Sequence, residues 1–346
     1  MKRLHNFVMF LLLLVLTSCL PGLPSVVTTP TLTPPPVPTE TVAPLPSETP
    51  TLEPSATPTE VPHPEITRVV IISIDGLRPD AIDYAPMPHL QALIAQGAYT
   101  YDAQTIFPSS TLPSHTSMLT GLCPSVHGVT WNSYLPEKGY AQGTDLFDLA
   151  HAAGLRTVMV VGKEKLRQIT EPESTDVFIH VNDLDPILAK RVAQVIPDGF
   201  SLLFIHFPDP DIDGHTYGWM SLTQLMTLRR TDSALQIVLD ALDKANMREH
   251  TLIIVTADHG GHGTTHGYDI PSDMTIPWVA VGPGIQPRVL TSVVNTTDTA
   301  ATAAWALGLP IPPEWVGRPV LEAFGMPDPA ARPEPRCPAP PPTPAN

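Results

Sequence analysis

Four short polar clusters hold the residue types in this chain that can do chemistry. The run Ile71-Ile72-Ser73-Ile74-Asp75-Gly76 is apolar and closes on a carboxylate and a turn glycine. Asp75 there is either a ligand or an ordinary helix cap. The run from Phe107 through Ser109, Ser110, Thr111 and Ser114 to His115 sets hydroxyls ahead of a helix start. They either cap that helix or put a nucleophile where the helix dipole and free N–H groups favour a phosphate. In Pro210 to His215, Asp211 and His215 stand four apart, so both can face one side of a helical turn and suit zinc or a similar ion. The run Thr256 to Gly267 carries Asp258, His259, His262 and His266 among glycines, with nothing apolar enough to bury, and reads as metal ligation. Together the clusters offer oxygen and imidazole ligands without thiolate, enough for two ions. Two-metal sites commonly serve phosphoryl transfer, so hydrolysis of a phosphate ester is the chemistry these residues imply.

The elements that must position them alternate. Apolar, β-branched runs predict strands over Arg68 to Ile74, Thr157 to Val161, Ser201 to His206, Thr251 to Thr256 and Trp278 to Val281. Helical patterns cover His89 to Gln96, Ser114 to Thr120, Leu146 to Ala153, Asp185 to Val195, Ser221 to Ala245 and Thr297 to Leu307. Such alternation gives an α/β fold, a largely parallel central sheet with helices on both faces. Ligands then sit beyond the carboxyl ends of the strands, where most of the four clusters fall.

The whole chain is 346 residues, but its 43 prolines are unevenly spread. Fourteen lie in 20–65 and nine in 326–346. Both segments are too polar and proline-rich to bury a core, and we read them as a disordered Pro/Thr-rich stalk and a disordered tail. One core-forming domain remains, 66–325. Residues 1–19 combine Lys2 and Arg3, an apolar run too short for a membrane span, and Leu16-Thr17-Ser18-Cys19. That ending resembles the bacterial lipobox, which makes Cys19 the lipidated residue and the protein a lipid-anchored one on the extracytoplasmic side of the cell envelope. A net charge of −15 argues against a nucleic-acid polymer as partner. Three cysteines, Cys19, Cys123 and Cys337, are too few for a disulfide framework, and Cys337 is expected to be incidental rather than paired with Cys123.

In this order the clusters resemble the alkaline phosphatase superfamily, and most closely its type I phosphodiesterase/nucleotide pyrophosphatase branch. The matching pieces are Asp75-Gly76, Phe107 to Pro113, Thr120 to Gly128, Asp211 to His215, Asp258-His259-Gly260 and His266-Gly267-Tyr268. The resemblance implies an alkaline phosphatase-like fold and two divalent ions, usually zinc. One would be held by Asp75, Thr111, Asp258 and His259, the other by Asp211, His215 and His266. It also implies Thr111 as nucleophile, passing through a phospho-threonine that water cleaves. Ser114, where many members have asparagine, and Asn132 are candidate substrate contacts. His262 and Asp209 compete for ligand positions.

A sulfatase is excluded because threonine at 111 cannot yield formylglycine, and the export signal speaks against a phosphoglycerate mutase. No arginine lies beside the clusters except Arg78, so neutralising a second phosphate charge has no evident group. Cleavage of phosphodiester or pyrophosphate bonds in a small nucleotide or other small molecule is therefore favoured. A phosphomonoesterase, a phosphonate hydrolase or a dead lipid-anchored binding protein is the alternative. The domain is expected to act as a monomer.

Overall fold

The structure, a computed structural model, describes residues 65–327 and Cys337. The expected signal segment with Cys19 and the rest of the stretch to residue 64 lie outside the described residues. So does 326–346 apart from Met326, Pro327 and Cys337.

Eight strands form one sheet: β1 (Arg68–Ile74), β2 (Ala98–Gln104), β3 (Thr157–Val161), β4 (Val177–His180), β5 (Leu202–Phe207), β6 (Thr251–Thr256), β7 (Thr275–Val281) and β8 (Arg288–Val289). Their order is β4-β3-β5-β1-β6-β7-β2-β8. The middle strands are near-continuous Val, Ile, Leu and Phe runs, the composition a strand needs when both faces are covered. β1 is parallel to β5, with Val69 opposite Leu202, and to β6, with Arg68 opposite Thr251. β7 is antiparallel to both its neighbours, so it alone of the described strands is reversed.

The helices are α1 (Ala81–Tyr84), α2 (Pro88–Gln96), α3 (Thr111–Thr120), α4 (Pro124–His127), α5 (Leu146–Ala152), α6 (Asp185–Val195), α7 (Asp209–Tyr217), α8 (Leu222–Lys244), α9 (Pro271–Met274) and α10 (Asp298–Ala306). Two groups pack among themselves, α2, α6 and α7 around α8, and α3, α4 and α5 with α10. The sheet separates them. The strands β2, β4 and β8 and the helices α1, α4, α7 and α9 extend the predicted set. β2 is a half-buried Ala-Tyr-Thr-Tyr-Asp-Ala-Gln run without an apolar signal, and α7 is acidic with no apolar stripe.

All ten residues of α3 are buried, and its polar side chains are satisfied internally. Thr116 and Thr120 hydroxyls donate to carbonyls one turn back, and Ser117 Oγ meets His127 Nε2 at 3.0 Å. The helix ends on Gly121 in the left-handed region at φ 65°, where a Cβ would lie 2.7 Å from Trp315. Val316 and Gly317 N–H groups both donate to the Gly121 carbonyl. Near this corner Cys123 is disulfide-bonded to Cys337, with Cα atoms 5.3 Å apart. This corrects the expectation that Cys337 is incidental. The partners are 214 residues apart, and only the return of segment 315–317 to the end of α3 reveals their proximity.

Candidate active site

Five strand ends deliver the site to one edge of the sheet. β1 runs directly into Asp75, and β6 is followed by Asp258 and His259. β5 leads into α7 with Asp211 and His215, and β2 leads by a loop to Thr111 in the first turn of α3. β3 leads to Lys163. Because these strands run in the same direction, all five ends open on the same side.

Three histidines share one device. His259 Nδ1 lies 2.8 Å from the Gly260 carbonyl, His266 Nδ1 2.8 Å from the Ser109 carbonyl and His215 Nδ1 3.0 Å from the Thr264 carbonyl. A carbonyl only accepts, so each Nδ1 carries the proton and each Nε2 presents a lone pair. Those lone pairs face carboxylates. His259 Nε2 is 3.2 Å from Asp258 and 3.5 Å from Asp75, while His215 and His266 Nε2 are 3.5 and 3.6 Å from Asp211 Oδ1. Burial, then the neighbouring His266, push the His259 imidazole down to about 3, so it is neutral at physiological pH.

The donor atoms sort into two cation clusters, Asp75, Asp258 and His259, and Asp211, His215 and His266, each with one atom per residue within 4.8 Å of the others. Asp75 Oδ1, Asp211 Oδ1, Asp258 Oδ2 and His259 Nε2 are buried and have no hydrogen-bond partner. Orphaned acceptors converging in a buried site are what cation ligands look like before the cation is considered. The set fits zinc, which takes carboxylate oxygen and neutral imidazole nitrogen.

Lys163 is one of the groups that sequence reading missed. Its ammonium lies 2.6 Å from Asp75 Oδ2, 2.5 Å from Asp211 Oδ2 and 3.4 Å from Thr111 Oγ1. Burial would raise Asp75, but Lys163 and a hydrogen bond from His206 outweigh it and hold that carboxyl well below the usual range. Asp258, lacking such a contact, is pushed well above the range by burial and by the Asp75 charge. Three carboxylates this close demand positive charge between them. His206 accepts from the Gly162 N–H at Nδ1, so its Nε2 carries the proton that it donates to Asp75, 2.8 Å away.

Thr111 is 1% exposed and its turn is braced from both sides. His115 Nδ1 donates to the Thr111 carbonyl at 2.7 Å, and its Nε2 meets Ser73 Oγ at 2.8 Å. Asn132 Oδ1 accepts from the Leu112 N–H at 2.9 Å and from Lys165 Nζ at 2.8 Å. The Asn132 side-chain oxygen is thereby held by two donors. Lys165 is lowered to about 8 by burial and by Lys163. Ser114, a candidate substrate contact, is fully buried in α3 with its Oγ 3.2 Å from the Thr105 hydroxyl, which donates to the Asp258 carbonyl. The competing ligands are otherwise engaged. His262 Nδ1 is paired with Asp273 at 2.7 Å, and Asp209 Oδ2 accepts from the Asp185 N–H and from Arg230. Arg78 serves Asp80 and the Gly261 carbonyl.

Strand order, direction and edge site define an alkaline phosphatase-like α/β protein, and solved structures share that fold. Murine ectonucleotide pyrophosphatase/phosphodiesterase 5 superposes with a TM-score of 0.62 at 16% identity, over 71% of this chain and 96% of that one. The alkaline phosphatase PafA does so at 0.60 and 14%, over 77% of this chain and 100% of that one. The family model for type I phosphodiesterase / nucleotide pyrophosphatase matches residues 69–272, and the chain belongs to that family. Relatives include the bis(5'-adenosyl)-triphosphatase enpp4 of Xenopus laevis, 25% identical over 56% of this chain and 47% of its own length. The human GPI ethanolamine phosphate transferase 2 catalytic subunit is 29% identical over 77% of this chain and 29% of its own length. The match thus spans half or less of these relatives.

Proposed function

We propose that the protein hydrolyses phosphodiester or pyrophosphate bonds of small molecules, nucleotides among them, with Thr111 as nucleophile and two divalent cations, zinc by donor type. Asp75, Thr111, Asp258 and His259 would hold one, and Asp211, His215 and His266 the other. The observation carrying this reading is the convergence of three imidazole Nε2 lone pairs on buried carboxylate oxygens that have no hydrogen-bond partner. Such cations, when bound, lower the pKa of a ligating hydroxyl and neutralise charge on phosphoryl oxygens.

The chain's own residues supply the rest. His115 and Asn132 fix the first turn of α3 so that Thr111 Oγ1 stands at the strand edge. His206 and the three Nδ1–carbonyl bonds hold the ligand side chains in orientation. The Thr111 oxygen forms a bond to phosphorus as the bond to the leaving oxygen breaks, and water then cleaves the phospho-threonine, returning the threonine.

The test compares rates on bis(nitrophenyl) phosphate, nitrophenyl phosphate, a nitrophenyl phosphonate and nitrophenyl sulfate with added zinc. We expect close to two equivalents of metal per chain, abolition of turnover by chelator, and loss of several orders of magnitude in Thr111→Ala with partial retention in Thr111→Ser. Ser109→Ala and Ser110→Ala should lose far less. Turnover indifferent to chelator, or a fully active Thr111→Ala, would overturn the reading.

We also propose that the protein is lipidated at Cys19 and sits as a monomer outside the cytoplasmic membrane. The Cys123–Cys337 disulfide supports an oxidising compartment. Cys19→Ala should leave the membrane fraction or accumulate as precursor, and unchanged fractionation and mass would remove the proposal.

A further inference from the structure

Three helices start side by side at the edge that holds the site. The Asp185 N–H, at the start of α6, donates to Asp209 at the start of α7, and Gln224, in the first turn of α8, donates to the Pro210 carbonyl. α6 follows β4, α7 follows β5 and α8 leads to β6, so α6 and α8 both begin at this edge and run away from it.

Their outward stripes are ordered along that direction. On α6 the buried positions Asp185, Leu188, Ala189 and Val192 face inward, so Leu184, Ile187, Lys190 and Arg191 line the opposite side. On α8 the same spacing puts Leu222, Met226 and Arg229 on one exposed stripe. Leu222 is 78% exposed, and Leu184, Ile187 and Met226 are 49%, 41% and 49%. Large apolar side chains left in water at the same end of two neighbouring helices mark an interaction surface. In both helices the cations come three to seven positions after the apolar residues, about 5–10 Å further from the edge.

The chain carries a net charge of −15, yet this face is basic. Of the carboxylates within 181–191, 209–217 and 222–233, Asp185, Asp209, Asp211 and Asp232 are buried, and Asp213 is held by the Thr227 hydroxyl. Arg230 is taken up by Asp209. That leaves Asp183 exposed against Lys190, Arg191 and Arg229. Such a face attracts an anionic surface while the rest of the molecule is repelled by one.

We propose that the outer face of α6 and α8 docks on an anionic lipid bilayer. Leu184, Ile187, Leu222 and Met226 enter the acyl boundary, and Lys190, Arg191 and Arg229 stop at the headgroup phosphates. The offset between the two sets matches the depth of about 5–10 Å to which interfacial side chains enter a bilayer. A protein partner would require no such order. Docking this way brings the catalytic edge to the lipid surface, and it rests neither on the hydrolase reading nor on lipidation at Cys19.

The test uses residues 20–346, which keep the whole sheet, both helix groups and the disulfide but lack the expected anchor. It measures co-sedimentation with vesicles of phosphatidylcholine alone or mixed equally with phosphatidylglycerol. Binding is expected on the mixed vesicles and should weaken with salt. Lys190→Gln and Arg229→Gln should each weaken it about fivefold, and Leu222→Ser with Met226→Ser by at least about tenfold at any salt. All four side chains are exposed, so melting temperature and metal content should hold. Val289→Ser, on β8 at the far end of the sheet from β4, should bind as wild type does. Binding to neither vesicle, equal binding to both, or a loss in Val289→Ser as large as in the Leu222→Ser, Met226→Ser pair overturns the proposal. If vesicles are ignored and light scattering finds a dimer that the same pair dissolves, the face belongs to a second copy of the chain and the proposal is overturned as well.

Discussion

At the scale of single residues, burial decides which side chains this protein can keep charged. Asp145 caps α5, accepting from the Asp148 N–H at 2.9 Å, while Asp148 accepts from the Asp145 N–H in return. Burial, then the Asp148 charge, push Asp145 up to about 8. The folded state therefore holds a proton that the unfolded state gives up near its ordinary value of 3.8, and stability from this group falls as pH rises between 3.8 and about 8. Asparagine caps as well as aspartate does and never ionises. We expect Asp145→Asn to match wild type at pH 4 and to exceed it at pH 8 by about 1 kcal/mol or more, roughly 2–4 °C in melting temperature for a domain of this size. Parallel melting curves at the two pH values would contradict that placement. The candidate ligands were legible residue by residue because each motif is local. Lys163, Lys165, His206 and Ser73 were not, since their contacts depend on β3, β5 and β1 lying side by side. A lone lysine after a strand carries no local sign of that.

Among elements, the loop after β6 and the end of α7 are fitted together by glycines. A Cβ on Gly261 would lie 2.2 Å from the Trp219 ring, and one on Gly214 2.8 Å from it. Trp219 in turn donates to the Gly76 carbonyl at 2.9 Å, and its ring stands 5.1 Å from His215 and 5.8 Å from His266. The indole therefore spaces β1's turn, α7 and the His266 loop. Gly261→Ala must move it, and we expect activity to fall by at least about tenfold with a stability loss of about 1–3 kcal/mol from overpacking. Smaller Trp219→Phe should be milder; full activity in Gly261→Ala would show that the indole spaces nothing. Long buried strands and amphipathic helices were read from sequence to within a few residues. α7 was read only as a helical turn at Asp211 to His215 and not as a full helix, because its pattern follows the ligands it carries and not a core face. β2 was missed because its Ala, Tyr, Thr, Asp and Gln residues make no apolar run, although Tyr99 and Tyr101 pack against the core.

For the whole molecule, the disulfide has a consequence that concerns force. A protein tied to a surface through its N-terminus and pulled at its far end is loaded along the chain, and the Cys123–Cys337 bond diverts that load past the residues between them. Of the seven candidate ligands only Asp75 and Thr111 lie outside the bypassed stretch. At about 3.5 Å per extended residue, tension between residue 65 and a handle beyond residue 337 would draw out roughly 200 Å while the bond is intact. After reduction the 214-residue loop would add on the order of 700 Å more. Single-molecule stretching with and without reductant reads these two lengths directly, and equal lengths would mean that the bond does not form. An intact bond makes the greater part of the catalytic edge mechanically silent, a chain that lengthens under load while most of its site never feels the pull.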